Sequence, residues 1–351
     1  MLVDLKNGAK KHAAPLLLCA ILALTATAWY ARARFTAAAA LPPDLLALVP
    51  GDASMIAFAD MAVLRDDPLV QRLVAMAQSS APAKEYADFV AGTGFEYQRD
   101  LDRVVIISRL APAPSAAPSA SQQPAAQTPA PQGRAQTFVL AEGRFDQQKI
   151  EQYALRHGSR QESRDRAIYS TPATTPGKTT TFTFLSPGRV ALTDSGDLSA
   201  MLDGNSRVPL DAAMQQRVSR VSGSPVFAVA KPSAIGPANS AAEMATPLQS
   251  LRWLSLAARP EGERILLSAE GECENPQQAS QLAAMLELLR GVLRGAMSDP
   301  KGRGGMPAET AESVTRLFEA AQISTEAERV RLLVSVDPAM LAPQTTAAPG
   351  Q

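Results

Sequence analysis

Histidine and cysteine are almost missing from this chain, with two of each in 351 residues. Two cysteines cannot build a disulfide framework or a structural zinc site. Two imidazoles, one of them His12 near the N-terminus, leave little for acid–base work or metal ligation. Charge of one sign is lacking too, since 34 Lys+Arg stand against 34 Asp+Glu. That balance argues against a nucleic-acid partner, which is met by a basic face. The common catalytic spacings do not occur either: there is no His-Glu-x-x-His, Gly-x-Ser-x-Gly, Cys-x-x-Cys, calcium-loop or Gly-x-Gly-x-x-Gly pattern. The Gly-rich run Lys301-Gly-Arg-Gly-Gly305 lacks the spacing and the closing Lys-Ser/Thr of a phosphate loop and reads as a flexible turn. The sequence therefore assigns no catalytic residue, no cofactor-binding residue and no metal ligand.

What is present first is a membrane signal. Lys6, Lys10, Lys11 and His12 precede residues 13–30, which carry no charge and end in Trp29 and Tyr30. As a helix at ~1.5 Å per residue this run is about 27 Å long, enough to cross a hydrocarbon core. Aromatic rings prefer the headgroup level, and the basic flank marks the cytoplasmic side. Three readings compete. A cleaved signal peptide would use Ala26-Thr-Ala28 as its small-residue site. A lipoprotein would use Cys19, but Leu18 stands where a small residue belongs. An uncleaved signal anchor fits the length and the aromatic end and is favoured. The organisation expected is a cytoplasmic tail at 1–12, the transmembrane anchor at 13–30, and a linker at 31–44. A first α+β repeat at 45–204, a linker at 205–223, a second repeat at 224–337 and a disordered tail at 338–351 follow. The chain would sit in the cytoplasmic membrane as a single-pass protein with its bulk outside the cytoplasm.

Runs rich in β-branched and apolar residues predict strands at 54–59, 104–108, 137–145, 179–185, 190–193, 226–230, 253–257, 264–272 and 329–336. Asp67-Pro68 and Asn275-Pro276 each supply a helix cap and a first-turn proline, and apolar stripes follow both. Asp146 starts a shorter helix, and residues 312–322 carry apolar positions at helical spacing. Residues 111–134 are nearly all Ala, Pro, Ser and Gln, so they cannot bury a core and read as disordered.

The strand-to-helix passage Phe138-Val-Leu-Ala-Glu-Gly-Arg-Phe145 has a counterpart in Leu266-Leu-Ser-Ala-Glu-Gly-Glu-Cys273. Flanking segments agree in order: 54–58 with 224–228, 101–107 with 251–256, and 189–192 with 329–332. This internal repeat, with strands and helices in split βαβ order, predicts an α+β fold of two tandem ferredoxin-like repeats behind the anchor.

Three short motifs carry a family likeness. They are Leu48-Val-Pro-Gly-Asp-Ala-Ser54, Thr93-Gly-Phe-Glu96 with Asp100-Leu-Asp-Arg-Val104, and Ala141-Glu-Gly-Arg-Phe-Asp146. In these the chain resembles an uncharacterised family of single-pass, membrane-anchored bacterial envelope proteins, known as a domain of unknown function. The resemblance spans 45–202 and implies no catalytic residues.

Residues with chemical potential remain. His157, followed by Gly158, reads as a helix C-cap. Cys273 shares a strand face with Leu267, Ala269 and Gly271 and reads as buried. Glu270, Glu272 and Glu274 lie on the other face, where same-face residues are ~7 Å apart, too far for three calcium ligands on a straight strand. Arg264, Arg329 and Arg331 on outward strand positions make cross-strand ion pairs the simpler reading. Arg156, Arg160, Arg164 and Arg166 read as a solvated loop, with contact to anionic lipid or cell-wall polymer as the alternative. The function expected is a non-enzymatic scaffold or binding role in the envelope, partnered by the bilayer through 13–30 and by an envelope protein or the cell wall. The alternatives are a carboxylate-dependent hydrolase of cell-wall or lipid material and a module binding a ligand in the cleft between the repeats.

Overall fold

The computed structural model describes residues 41–65, 84–110, 135–172, 179–202, 209–232, 250–261, 264–298 and 308–336. The expected anchor at 13–30, the helix after Asp67-Pro68, the Ala/Pro stretch at 111–134, the Lys301–Gly305 turn and the tail lie outside them. No described helix is long and apolar enough to cross a membrane.

The strands are β1 (Ala53–Asp60), β2 (Leu101–Leu110), β3 (Ala135–Gly143), β4 (Ser159–Ser163), β5 (Arg166–Pro172), β6 (Thr179–Ser186), β7 (Arg189–Thr193), β8 (Val226–Ala230), β9 (Leu251–Glu261), β10 (Arg264–Cys273), β11 (Ala321–Glu326) and β12 (Arg329–Val336). The helices are α1 (Pro43–Leu46), α2 (Met61–Leu64), α3 (Lys84–Thr93), α4 (Tyr97–Asp100), α5 (Gln147–His157), α6 (Ser199–Leu202), α7 (Ala212–Val221), α8 (Pro276–Ser298) and α9 (Ala308–Ala320).

All strands belong to one 12-stranded sheet in the order β11-β12-β10-β9-β8-β1-β2-β3-β7-β6-β5-β4. This corrects the expectation of two ferredoxin-like repeats. A split βαβ unit inserts a strand between two others, whereas here strands joined in sequence lie mostly side by side and pair antiparallel. Short connections favour that outcome for β6 with β7 and for β9 with β10. Contacts divide the chain into two compact units, an N-terminal one from the described parts of Leu41–Phe58 and Ala83–Gln216 and a C-terminal one from the described parts of Ala59–Pro82 and Arg217–Gln351. The strands matched by sequence are β1 with β8, β2 with β9, β3 with β10, and β7 with β12. Each pair holds the same rank in the meander of its own unit. The ladders displace the flanking correspondences by two residues. Ala141 faces Val104 and Val190, while Ala269 faces Leu256 and Leu332.

In the N-terminal unit, Ile150 and Ala154 of α5 pack on Tyr169, Phe182, Phe184 and Val190 of the sheet. The helix starts where the Asp146 carboxylate accepts a hydrogen bond from the Lys149 N–H at 3.1 Å. It stops at Gly158, where a Cβ would lie 1.9 Å from the Ser170 carbonyl oxygen. That close approach, not a left-handed cap, is why glycine follows His157. In the C-terminal unit, Asn275 caps α8 by accepting from Gln278 N–H at 2.9 Å. Ala279 and Leu282 of α8 pack on Leu251, Cys273 and Val330. Ile265, Ala258 and Val336 form a second cluster with Leu64 of α2 and Leu317 of α9.

Three strands are absent from the sequence reading. Of the residues read as an arginine loop, Arg156 lies in the last turn of α5, and Arg160, Arg164 and Arg166 lie in the β4–β5 hairpin, turned by Arg164 and Asp165 at φ of 54° and 60°. Polar β4 is exposed throughout and so shows no apolar alternation. Helical spacing at 312–322 overruns as well. The chain leaves α9 at Ala320, and Ala321 and Ile323 join the ladder opposite Val334 and Leu332. The ladder outweighs helical propensity there.

The Ala-Glu-Gly signature has a steric cause at its first occurrence. A Cβ on Gly143 would stand 2.3 Å from the Asp100 carbonyl oxygen, beside the irregularity where β2 begins. On Gly271 it would meet the flexible Leu251 Cδ2 at 2.7 Å. Gly143→Ala is therefore expected to cost about 2–3 kcal/mol, as overpacking against backbone does. Gly271→Ala should cost clearly less, and urea unfolding of the two variants checks the ranking.

Candidate functional site

Sequence and fold bring the polar residues into two arginine–carboxylate clusters, one in each unit. In the N-terminal unit Glu142 of β3 stands between Arg103 of β2 and Arg189 of β7 by register. Arg103 Nη1 lies 3.3 Å from one carboxylate oxygen and Arg189 Nε donates to the other at 3.0 Å. Arg189 also pairs with Asp44 of α1. Hydrogen bonding from Arg189 holds the Asp44 carboxyl below its ordinary range. Burial opposes the charge on Arg189, but Asp44 and Glu142 more than offset this and raise its pKa.

The C-terminal cluster is larger. Glu270 of β10 faces Arg331 of β12, whose Nη2 lies 2.9 Å away, with Arg329 at 3.8 Å and Arg220 at 3.1 Å. Glu272 shares its row with Trp253 and Arg329 and pairs with both Arg217 and Arg220 of α7. The Arg217 guanidinium lies 4.3 Å from the Trp253 ring centroid and Lys231 Nζ 5.0 Å from it. Burial alone would raise the Glu272 carboxyl, but hydrogen bonds from Arg220 and Arg217 prevail and lower it. The register equivalent of the Glu142–Arg189 pair is thus Glu270–Arg331, two residues beyond the match of Arg189 with Arg329.

The structure gathers Glu270, Arg329 and Arg331 as cross-strand ion pairs and ties Glu272 to α7 instead, while Arg264 lies at the opposite end of β10. Glu274 is exposed, and among the described residues no three His, Cys, Asp or Glu side chains could hold a metal ion. His157 packs its ring 4.3 Å from that of Tyr153. Cys273 is buried, and burial, opposed by a hydrogen bond involving Ser250, raises its thiol. In the hairpin, Arg160 pairs with Glu162 at 2.9 Å and Arg166 donates to the Phe184 carbonyl at 3.2 Å. The residues missed by sequence are Asp44, Arg103 and Arg189 around Glu142, and Arg217 and Arg220, the last two because α7 falls in the stretch read as a linker. Its signal was present: Asp211 accepts from Ala213 N–H at 3.1 Å, and Met214 and Val218 recur at helical spacing and are buried.

Comparison with protein-family models gives no match, and comparison with the curated proteins gives none. Among solved structures, TP0453 in crystal form III is similar over 84% of this chain and 95% of its own, at 10% identity and a TM-score of 0.45. Crystal form I of TP0453 is similar over 86% and 96%, at 11% identity and 0.40. Crystal form IV is similar over 84% and 92%, at 10% identity and 0.42.

Glu142 and Glu272 are mostly shielded from solvent, with side-chain exposures of 17% and 13%. Glu142→Gln and Glu272→Gln should each destabilise the chain by about 1.5–3 kcal/mol, as loss of charge-assisted hydrogen bonds does. The Glu272 carboxyl titrates lower in the folded chain than its ordinary value of 4.5. The unfolded chain therefore binds the proton more readily. The stabilisation is complete above about pH 4.5 and is lost as pH falls through the lowered folded value. Urea unfolding between pH 7 and pH 3 should show this slope, and Glu272→Gln should flatten it.

Proposed function

We propose that the chain is a membrane-anchored envelope protein with a scaffold or binding role rather than an enzyme. The observation that carries this reading is the pairing of its partly buried carboxylates with arginines. A carboxylate-dependent hydrolase needs one carboxyl kept protonated near neutral pH by burial or by a like charge. Here Glu142 lies between Arg103 and Arg189, and Glu272 is held by Arg217 and Arg220 and titrates below its ordinary range. Glu272 therefore stays ionised near neutral pH, and the two carboxylates lock strands and a helix together. They are suited to shape and not to proton transfer.

The anchor at 13–30 and the basic residues before it support placement in the cytoplasmic membrane with the sheet outside. The like ranks of β3 and β10, and the carboxylate at the same place on each, support descent of the two meanders from one ancestral unit. Envelope proteins or cell-wall polymer are the proposed partners, and nucleic acid is not.

Fractionation of cells expressing the full chain tests the placement. It is expected to stay with membranes through high-salt and alkaline washing and to be digested by protease added to spheroplasts. A soluble chain beginning at Trp29 would replace the anchor with a cleaved signal. Protection from the external protease would place the sheet in the cytoplasm.

A further inference from the structure

The outer face of α8 presents apolar side chains to solvent with no partner from the described chain. Leu288 is 69% and Val292 59% exposed. Ala284, Gly291 and Gly295 share their exposed row, at the spacing that sets one helical face. The two glycines are unexplained by packing, since a Cβ built on either would meet nothing within 4 Å. Glycine is the poorest helix former after proline, so its use at two exposed positions inside a 23-residue helix calls for a close neighbour. Glu287 and Arg294 flank the row on one side, exposed at 44% and 66%, and pair within the chain with Arg290 at 2.6 Å and Glu319 at 3.2 Å.

We propose that this face of α8 is a homodimer contact in which it packs antiparallel on the α8 of a second copy, centred near Gly291. A two-fold axis there makes the surface self-complementary. Leu288 of each copy then enters the gap between the two glycines of the other, where backbones approach closely. Glu287 of each copy comes beside Arg294 of the other, so the Glu287–Arg290 pair of one copy joins the Arg294–Glu319 pair of the other in an alternating charge network that forms twice. A parallel pair leaves both without an opposite charge across the contact. A lipid surface fits less well, because the row is flanked by an acid as well as a base and lacks the run of cations that anionic headgroups attract. The inference does not depend on the placement in the envelope.

Sedimentation velocity of the full chain in mild detergent, over a range of concentrations, tests it. A concentration-dependent dimer is expected. Leu288→Glu should abolish it. Gly291→Leu should abolish it too, while leaving the thermal midpoint equal or higher, because the new side chain meets open space in the monomer and favours the helix. In a background carrying Arg290→Gln and Glu319→Gln, which removes the internal pairs, Glu287→Arg alone should weaken the dimer about tenfold, and Glu287→Arg with Arg294→Glu should restore it. A chain that is monomeric at every concentration would overturn the proposal. So would a dimer indifferent to Gly291→Leu, or a double charge reversal no better than the single one.

Discussion

Each meander is fastened at its third strand by a carboxylate that reaches sideways to arginines on its neighbours. Glu142 ties β3 to β2 and β7, and Glu270 ties β10 to β12. Glu272 adds a tie from the sheet to α7. These contacts lie at the end of the strand where the chain turns into the helix that covers the opposite face. The register of β3 and β10 fixes which residues enter the core, because a slip of one residue would turn every side chain over. In β10, Ile265 and Cys273 face the buried clusters while Glu270 and Glu272 face the arginines. The ion pairs and the apolar face thus enforce one register from two sides.

This constraint accounts for the tryptophan of β9. Trp253 lies opposite Glu272 and beneath the Arg217 guanidinium, so the cation is held between an aromatic face and a carboxylate. A buried guanidinium is tolerated only where its charge is met, and here two different groups meet it. The N-terminal unit solves the same problem differently. Asp44, from the short helix ahead of β1, pairs with the same Arg189 Nη2 that meets Glu142. One motif is therefore completed by arginines of α7 in one unit and by a carboxylate of α1 in the other.

Much of this was legible in the sequence, and the failures have physical causes. Apolar and β-branched runs located the central strands, and the caps at Asp146 and Asn275 stand where the residue types placed them. Cross-strand pairing around Glu270 could be anticipated from the arginines on β12. The pairing order could not, because element order along a chain is compatible with both a split βαβ sheet and a meander. Edge strands escaped for a different reason. With one polar strand exposed throughout, as in β4, no alternation marks it. Arg217 and Arg220 were hidden because a ten-residue helix between proposed repeats looks like a connection, although Met214 and Val218 carry its spacing.

The central claim is that these carboxylates act as structural ties. A double-mutant cycle between Glu272 and Arg217, with Glu272→Gln and Arg217→Met measured singly and together by urea unfolding at pH 7, addresses it most directly. The account predicts a coupling free energy of at least about 1.5 kcal/mol, with the double variant more stable than the two single losses would sum to. Additive losses, with a coupling near zero, would contradict it.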